Sequence, residues 1–233
     1  MERIILIETS TALCSTALAE NGTIVSYLES AAPKAHASLT AVFIQEMLSA
    51  RGLEIADCDA ICVSMGPGSY TGLRVGVSTA KGVCFGSRKP LLAVGTLDTL
   101  VAQASVASQD GTEGYPFHHI IPMIDARRME VYTAVFTPDG NQITETAPMI
   151  IDENCFADIL EEGSCLFIGD GAGKCADVIK HPNAHFLQCQ PKASAMVAPA
   201  MKAYKEKRFE DVAYFEPFYL KEFVATVSKK KLW

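Results

Sequence analysis

One pattern occurs twice along this chain, and it restricts the fold more than anything else in the sequence. Arg3 to Glu8 reads as a buried strand ending in an acid, and Leu13–Ala19 and Thr23–Glu29 follow as two further runs joined through Asn21-Gly22, a strong hairpin signal. In the second half His119–Asp125 is again a strand ending in an acid, Glu130–Phe136 is a second strand, and Asp139-Gly140 is the next turn. The offset from acid to turn is 13 residues between Glu8 and Asn21 and 14 between Asp125 and Asp139. From each acid to the glycine ending a later strand it is 58 residues to Gly66 and 44 to Gly169, with a helical segment between them both times. Shared element order with weak residue identity points to an internal duplication rather than a short-period solenoid. Two related α/β lobes around a cleft are therefore expected; a single unduplicated meander followed by βα units is the alternative.

Between these landmarks the apolar residues recur at helical spacing from His36 to about Arg51, where Gly52 is placed to close the helix. Ala60–Met65 reads as a buried strand, followed by the loop Gly66-Pro67-Gly68-Ser69-Tyr70 and a helix from Thr71 to Phe85. A short strand, Leu91–Val94, and a helix from Leu97 complete the first lobe. The polar stretch Ser105–Pro116 is the expected linker, dividing the chain into lobes 1–105 and 106–233.

Composition bounds the function. With 233 residues, 49% apolar and 20% charged, the chain can fill two cores and is neither disordered nor low-complexity. No stretch approaches the ~18 uninterrupted apolar residues of a membrane span. The four-residue run Ile4–Ile7 is too short for a secretory leader, so a cytoplasmic protein is expected. The 20 Lys and Arg against 27 Asp and Glu give a net charge of −7, which argues against independent binding to nucleic acid. Any RNA would be held largely by a partner. Lys229-Lys230-Lys231 reads as a solvated tail. Eight cysteines without a C-x-x-C pair read as small buried hydrophobes in a reducing compartment rather than as disulfides or zinc ligands.

Met65-Gly-Pro-Gly-Ser-Tyr-Thr-Gly72 lies between a strand and a helix N-terminus, where backbone N–H groups and the helix dipole favour an anion. A dinucleotide fingerprint would need its third glycine one place earlier than Gly72, and no P-loop is present. A tight turn delivering a strand into a helix explains the loop equally well. Glu8-Thr9-Ser10-Thr11 follows the first strand, where actin-like and sugar-kinase-like ATPases carry an acid, a glycine and a hydroxyl residue. Here Ser10 stands at the glycine, obstructing close approach of a phosphate. Glu8, Thr9, Ser10, Gly66, Gly68, Ser69 and Thr71 are thus candidates for a degenerate phosphate loop. His181 and His185 have metal-ligand spacing, but Pro182 and Asn183 argue against the helix that would align them. No metal site and no catalytic Ser/His/Asp or Cys/His set is identified.

Two helices are more apolar than one core contact requires. Between Thr71 and Phe85 the only charges are Arg74 and Lys81, and Leu39, Val42, Phe43, Ile44, Met47 and Leu48 span a wide arc of the preceding helix. Either both are sandwiched inside a large core, or they present an apolar patch to a partner. On the second view Leu39, Phe43, Met47, Leu73, Gly76, Val77 and Ala80 form a partner or dimer interface.

Four segments together resemble a known family: Ile4–Thr11 with its hairpin; Met65-Gly-Pro-Gly-Ser-Tyr-Thr-Gly-Leu-Arg-Val-Gly76 with Ala80-Lys-Gly82; Asp125-Ala-Arg-Arg-Met-Glu-Val-Tyr132; and Pro217-Phe-Tyr-Leu-Lys221. The chain resembles the bacterial TsaB family, also called YeaZ. It departs at Glu8, where the family usually has Asp, and at Ala37, where Ser commonly follows the histidine. The resemblance implies a two-lobed actin-like fold of the sugar kinase and Hsp70-type ATPase class, each lobe a mixed sheet with helices. It also implies a subunit that is no enzyme by itself and pairs with TsaD, which transfers threonylcarbamoyl onto the adenosine beside the tRNA anticodon. TsaE, an ATPase, joins them; tRNA is met only through the complex, and the free chain pairs with itself. TsaD carries H-x-x-x-H on the helix matching that from His36, whereas this chain has Thr40 at the second position. No cofactor is implied for the chain alone, and a nucleotide at the partner interface is left open. The rival is an active small-molecule kinase or ATPase using Glu8, Asp125 and the Gly66–Gly72 loop.

Overall fold

The computed structural model describes residues 1–107 and 117–220. Most of the expected linker, 108–116, together with Lys221 and Lys229–Lys231, lies outside the described residues. The first lobe is built on strands β1 (Arg3–Glu8), β2 (Cys14–Glu20), β3 (Thr23–Ser30), β4 (Ala60–Gly66) and β5 (Leu91–Gly95), in the order β3-β2-β1-β4-β5. The second sheet contains β6 (His119–Asp125), β7 (Glu130–Thr133), β8 (Ala147–Ile150), β9 (Cys165–Gly169) and β10 (Ala184–Gln188), in the order β10-β9-β6-β7-β8. In each sheet the first three strands form an antiparallel meander, the fourth pairs parallel with the first, and the fifth pairs parallel with the fourth. The two sheets thus share one topology, as a duplication requires and an unduplicated meander does not.

Local chemistry explains the edges of these elements. Asn21 and Gly22 both adopt positive φ, +48° and +79°, the requirement of the tight turn whose twist matches the β2–β3 hairpin. Helix α1 (Ala35–Ser49) ends where Gly52 takes φ +63°, with Gly52 N–H donating to Ser49 O and Leu53 N–H to Leu48 O, satisfying two carbonyls of the last turn. Asp139-Gly140 is also a turn, Gly140 N–H donating to Thr137 O at 3.0 Å, but it does not join β7 directly to β8. The chain makes a detour there, in which Phe136 bridges to Ile120 and Gln142.

The remaining helices are α2 (Tyr70–Ser87), α3 (Thr96–Ala107), α4 (Ala157–Glu162), α5 (Ala172–Ala176) and α6 (Val197–Lys205). Helices α1 and α2 cover one face of the first sheet, burying Ile44, Leu48, Val77, Ala80 and Cys84 against Ile5, Ile7, Leu18, Ile61 and Val63. The other face is covered from far along the chain: Ala193, Met196, Ala200, Met201 and Ala203 pack on Ile4, Leu6, Ala17, Cys62 and Leu92. In exchange, Leu97, Leu100, Val101 and Ala104 of α3 fill a core with Ile120, Ile124, Phe136 and Ile168 of the second sheet. The division between 105 and 106 is therefore crossed by both lobes. Each sheet leaves one apolar face that its own segment cannot cover, and the other half supplies the helix.

No helix among the described residues is long and apolar enough to cross a membrane. All eight cysteines are free, and burial pushes most of their thiols up, Cys58, Cys84, Cys165 and Cys175 to about 11. They are packing residues. His185 lies on β10 and His181 in the turn before it, and no group of three or more metal-binding side chains exists among the described residues.

Helix α2 carries two glycines of opposite meaning. A Cβ at Gly72 would collide with the Thr9 carbonyl oxygen, while one at Gly82 would meet nothing within 4 Å. Denaturant unfolding should therefore show Gly72→Ala destabilised by about 1–3 kcal/mol. Gly82→Ala should gain about 1 kcal/mol from helix propensity alone.

Candidate functional site

The lobes enclose a cleft of about 850 Å³. Its first-lobe wall is Ser10, Thr11 and His36 with the 67–71 loop, and its second-lobe wall includes Asp125, Arg127, Arg128, Glu130 and Asp170; Phe218 and Tyr219 close one side.

The first-lobe loop is clamped shut by its own glycines. Ser69 N–H donates to Ser10 O at 2.6 Å, and Cβ atoms placed on Gly68, Gly72 and Gly76 would strike Ser10 O, Thr9 O and Thr9 Oγ1 respectively. Ser69 caps α2 by accepting from Gly72 N–H at 3.3 Å, and Thr9 Oγ1 donates to Gly72 O at 2.9 Å. Gly72 sits one place late for a dinucleotide fingerprint because it serves a different purpose. It lies one helical turn before Gly76, and both let α2 approach the end of β1.

Of the seven phosphate-loop candidates, Ser10, Gly68, Ser69 and Thr71 line the cleft, whereas Glu8, Thr9 and Gly66 do not. Glu8 is wholly buried, and its Oε1 accepts from Ser10 N–H at 2.7 Å while Oε2 has no hydrogen-bond partner. Burial pushes its carboxyl above the ordinary range, against the opposing pull of Ser10 and Ser64. Gly66 lies at φ +106° beneath Leu73 and the Phe218 carbonyl.

Sequence reasoning left the opposite wall largely unread. Lys174 Nζ donates to Asp125 Oδ1 at 2.5 Å, to Arg128 O at 2.7 Å and to Glu130 O at 2.6 Å. Arg127 N–H also donates to Asp125 Oδ1, and Asp125 N–H donates to Asp170 Oδ1 at 2.9 Å. Burial raises the Asp170 carboxyl. A signal did exist: Asp170-Gly-Ala-Gly-Lys174 follows β9 as the Gly66–Gly72 loop follows β4. At the mouth, Tyr70 and Tyr219 lie with ring centroids 4.8 Å apart and the Arg74 guanidinium is 5.5 Å from the Tyr70 ring centre.

An actin-like ATPase site would need free carboxylates to hold a metal ion with its nucleotide. These residues do not fit that ion: Glu8 is sealed beneath the loop, and the charge of Asp125 is taken up by Lys174.

The proposed interface residues divide as well. Met47, Leu73, Gly76, Val77 and Ala80 are buried inside the first lobe, packed on its sheet or against the end of β1, so they cannot form an exposed patch. Leu39 and Phe43 remain half-buried. The outward face of the helix pair instead offers Val42, 40% exposed, and Phe85, 84% exposed, with Ser78 and Gly82.

Because the folded state binds the Glu8 proton more tightly than the unfolded chain does, its contribution to stability is fully present below the ordinary carboxylate value, near 4.3, and is lost as pH rises from there through the raised value of the folded state. Glu8→Gln cannot ionise. In melts run across pH, it should unfold above the unmodified chain at pH 8, with the gap narrowing toward pH 5.

Comparison with known proteins agrees with this geometry. The family model described as TsaD, tRNA N6-adenosine threonylcarbamoyltransferase, matches residues 28–229. The tRNA threonylcarbamoyladenosine biosynthesis protein TsaB of Escherichia coli (strain K12) is 29% identical over 230 residues, covering 96% of each chain. Among solved structures, YeaZ from Pseudomonas aeruginosa superposes with a TM-score of 0.81 at 24% identity, over 94% of this chain and 100% of that one. An activator of 2-hydroxyisocaproyl-CoA dehydratase from Clostridium difficile reaches a TM-score of 0.50 at 10% identity, over 88% and 96%. With a duplicated two-lobed sheet architecture and a family model spanning most of its length, the chain belongs to the TsaD-type family, in its TsaB (YeaZ) branch.

Proposed function

We propose that this chain is a catalytically silent subunit that docks on and activates a TsaD-like transferase in forming threonylcarbamoyladenosine beside the tRNA anticodon. The observation that carries the reading is the state of the two acids at equivalent strand ends. Glu8 is buried away from the cleft with its proton favoured, and Asp125, though it lines the cleft, has its charge paired with Lys174. The names of its relatives support a place in that pathway.

The partner surface in this reading is the outward face of α1 and α2. Small residues at Ser78, Gly82 and Gly86 leave room for another helix to approach, and Val42 and Phe85 supply apolar area that a monomer leaves in water. The free chain pairs with itself through this face, and a TsaD-like subunit competes for it with its own equivalent helices. A TsaE-like ATPase joins the assembly, and tRNA is reached through the complex because the chain itself carries a net charge of −7. The setting is the cytoplasm.

Size-exclusion chromatography with a TsaD-like partner tests the surface. Val42→Arg, an exposed position, should weaken both self-pairing and partner binding by at least about tenfold, because it buries an unpaired charge. Its melting should stay close to that of the unmodified chain. Val77→Arg should instead collapse the melt, since Val77 is only 4% exposed. Unchanged assembly of Val42→Arg would place the interface elsewhere.

A further inference from the structure

Charge is unevenly spread along the second lobe. From Met129 to Gly173 the sequence holds nine Asp and Glu and no Lys or Arg, so this stretch alone exceeds the net −7 of the whole chain. It also encloses a groove of about 390 Å³ where α4 meets the β7–β8 pair. The floor is apolar, made by Val135, Met149, Phe156 and Ile159, and the exposed carboxylates of Glu145 and Asp158 stand beside it. Neither carboxylate has an ion pair among the described residues, and no cation lines the groove.

Strand register builds that floor. Val131 pairs with Met149 and Thr133 with Ala147, so Ala147 and Met149, two places apart, point to the side on which Phe156 and Ile159 pack. Phe156, at φ +65°, sets its ring edge-on against buried Phe167 with centroids 5.4 Å apart, which fixes one wall. An apolar floor with unpaired carboxylates at its side suits an occupant that is basic and apolar together.

The chain carries such a segment. Lys221-Glu-Phe-Val-Ala-Thr-Val-Ser-Lys-Lys-Lys-Leu-Trp233 lies outside the described residues and holds four lysines against one glutamate, with Leu232 and Trp233 following the lysine run. Its length suffices. Leu220 and Glu130 line the interlobe cleft, and Thr133, three places along β7 and about 10 Å from Glu130, lines the groove. Residues 221–233 span about 43 Å when extended. Adding a strand to the open edge at β8 is a poorer use of the segment, because Pro148 offers that edge no N–H.

We propose that residues 229–233 dock in this groove on the same chain, Leu232 and Trp233 on the apolar floor and Lys229–Lys231 against Glu145 and Asp158. The lysine run, which sequence alone leaves to solvent, then covers an acidic stretch. Neither the α1–α2 surface nor the interlobe cleft takes part, so this docking and that of a TsaD-like partner stand or fall separately.

Trp233 is the only tryptophan, so the emission of the full chain reports its surroundings. At low salt that emission should be blue-shifted from that of the free peptide 221–233, and the shift should persist on dilution. Glu145→Lys with Asp158→Lys, both at exposed positions, should remove the shift while melting stays close to that of the unmodified chain. Lys229→Glu, Lys230→Glu and Lys231→Glu together should remove it as well. Combining the two sets restores opposite charges and should recover the shift, a rescue that damage to the fold would not produce. Emission equal to the free peptide's, a shift that survives both charge reversals, or no recovery in the combined variant would overturn the proposal. So would a shift that fades on dilution, which would assign the segment to a second copy, or one that appears only with tRNA, which would assign it to nucleic acid.

Discussion

The close approach of α2 to the end of β1 is the contact on which the first lobe depends. Backbone at Ser10 and Thr9 lies directly against Gly68 and Gly72, and the Thr9 hydroxyl against Gly76, at distances that no Cβ could share. This approach sets the start of α2, directs Val77, Ala80 and Cys84 onto the sheet, and buries Glu8 beneath the loop. A phosphate would have to occupy the place that the protein's own backbone fills. The second lobe uses the same device: Gly171 N–H donates to Met123 O, and a Cβ at Gly169 would strike that same carbonyl. The duplication therefore extends beyond strand order to the way each lobe closes its strand-end loop.

The two lobes are joined by more than one covalent linker. Helix α3 leaves the first sheet to fill the second core, and the 193–205 segment returns to cover the first. Polar contacts reinforce the return, with Ala193 N–H donating to Ser15 Oγ and Lys192 pairing with Glu29. Beyond α6 the chain runs along α2, where Lys81 Nζ donates to the carbonyls of Ala213 and Phe215, and Phe218 N–H donates to Met65 O. That path brings Tyr219 to Tyr70. The cleft wall is thus assembled from stretches of both lobes and of the chain beyond α6, far apart in sequence, on a scaffold cross-braced by exchanged helices.

How much of this could be read in the sequence follows from the range of each interaction. The Asn21-Gly22 turn, the Gly52 stop and the paired acid-ended strands are local, and composition at a few adjacent positions determines them. The apolar arc on α1 and α2 was legible, but its meaning was not. Periodicity cannot distinguish a helix covered on two sides by its own lobe from one that offers a face to a partner, and Met47 and Val77 proved to be core. The return of residues 193–205 to the first sheet was invisible because an amphipathic helix carries no address for the sheet it covers. Lys174 and Asp125 lie 49 positions apart, and only the parallel pairing of β6 with β9 brings them together. Glu8 was legible as an acid at a strand end, but its orientation depends on the glycine clamp above it.

The central claim is that the chain contributes a surface rather than a reacting group. It is tested most directly by measuring threonylcarbamoyl transfer to tRNA in a reconstituted TsaD-like complex containing Glu8→Gln, with assembly checked by size exclusion on the same sample. The account predicts turnover within about twofold of the unmodified complex. A fall of about a hundredfold or more with the complex intact, the scale of a lost general acid or base, would contradict it.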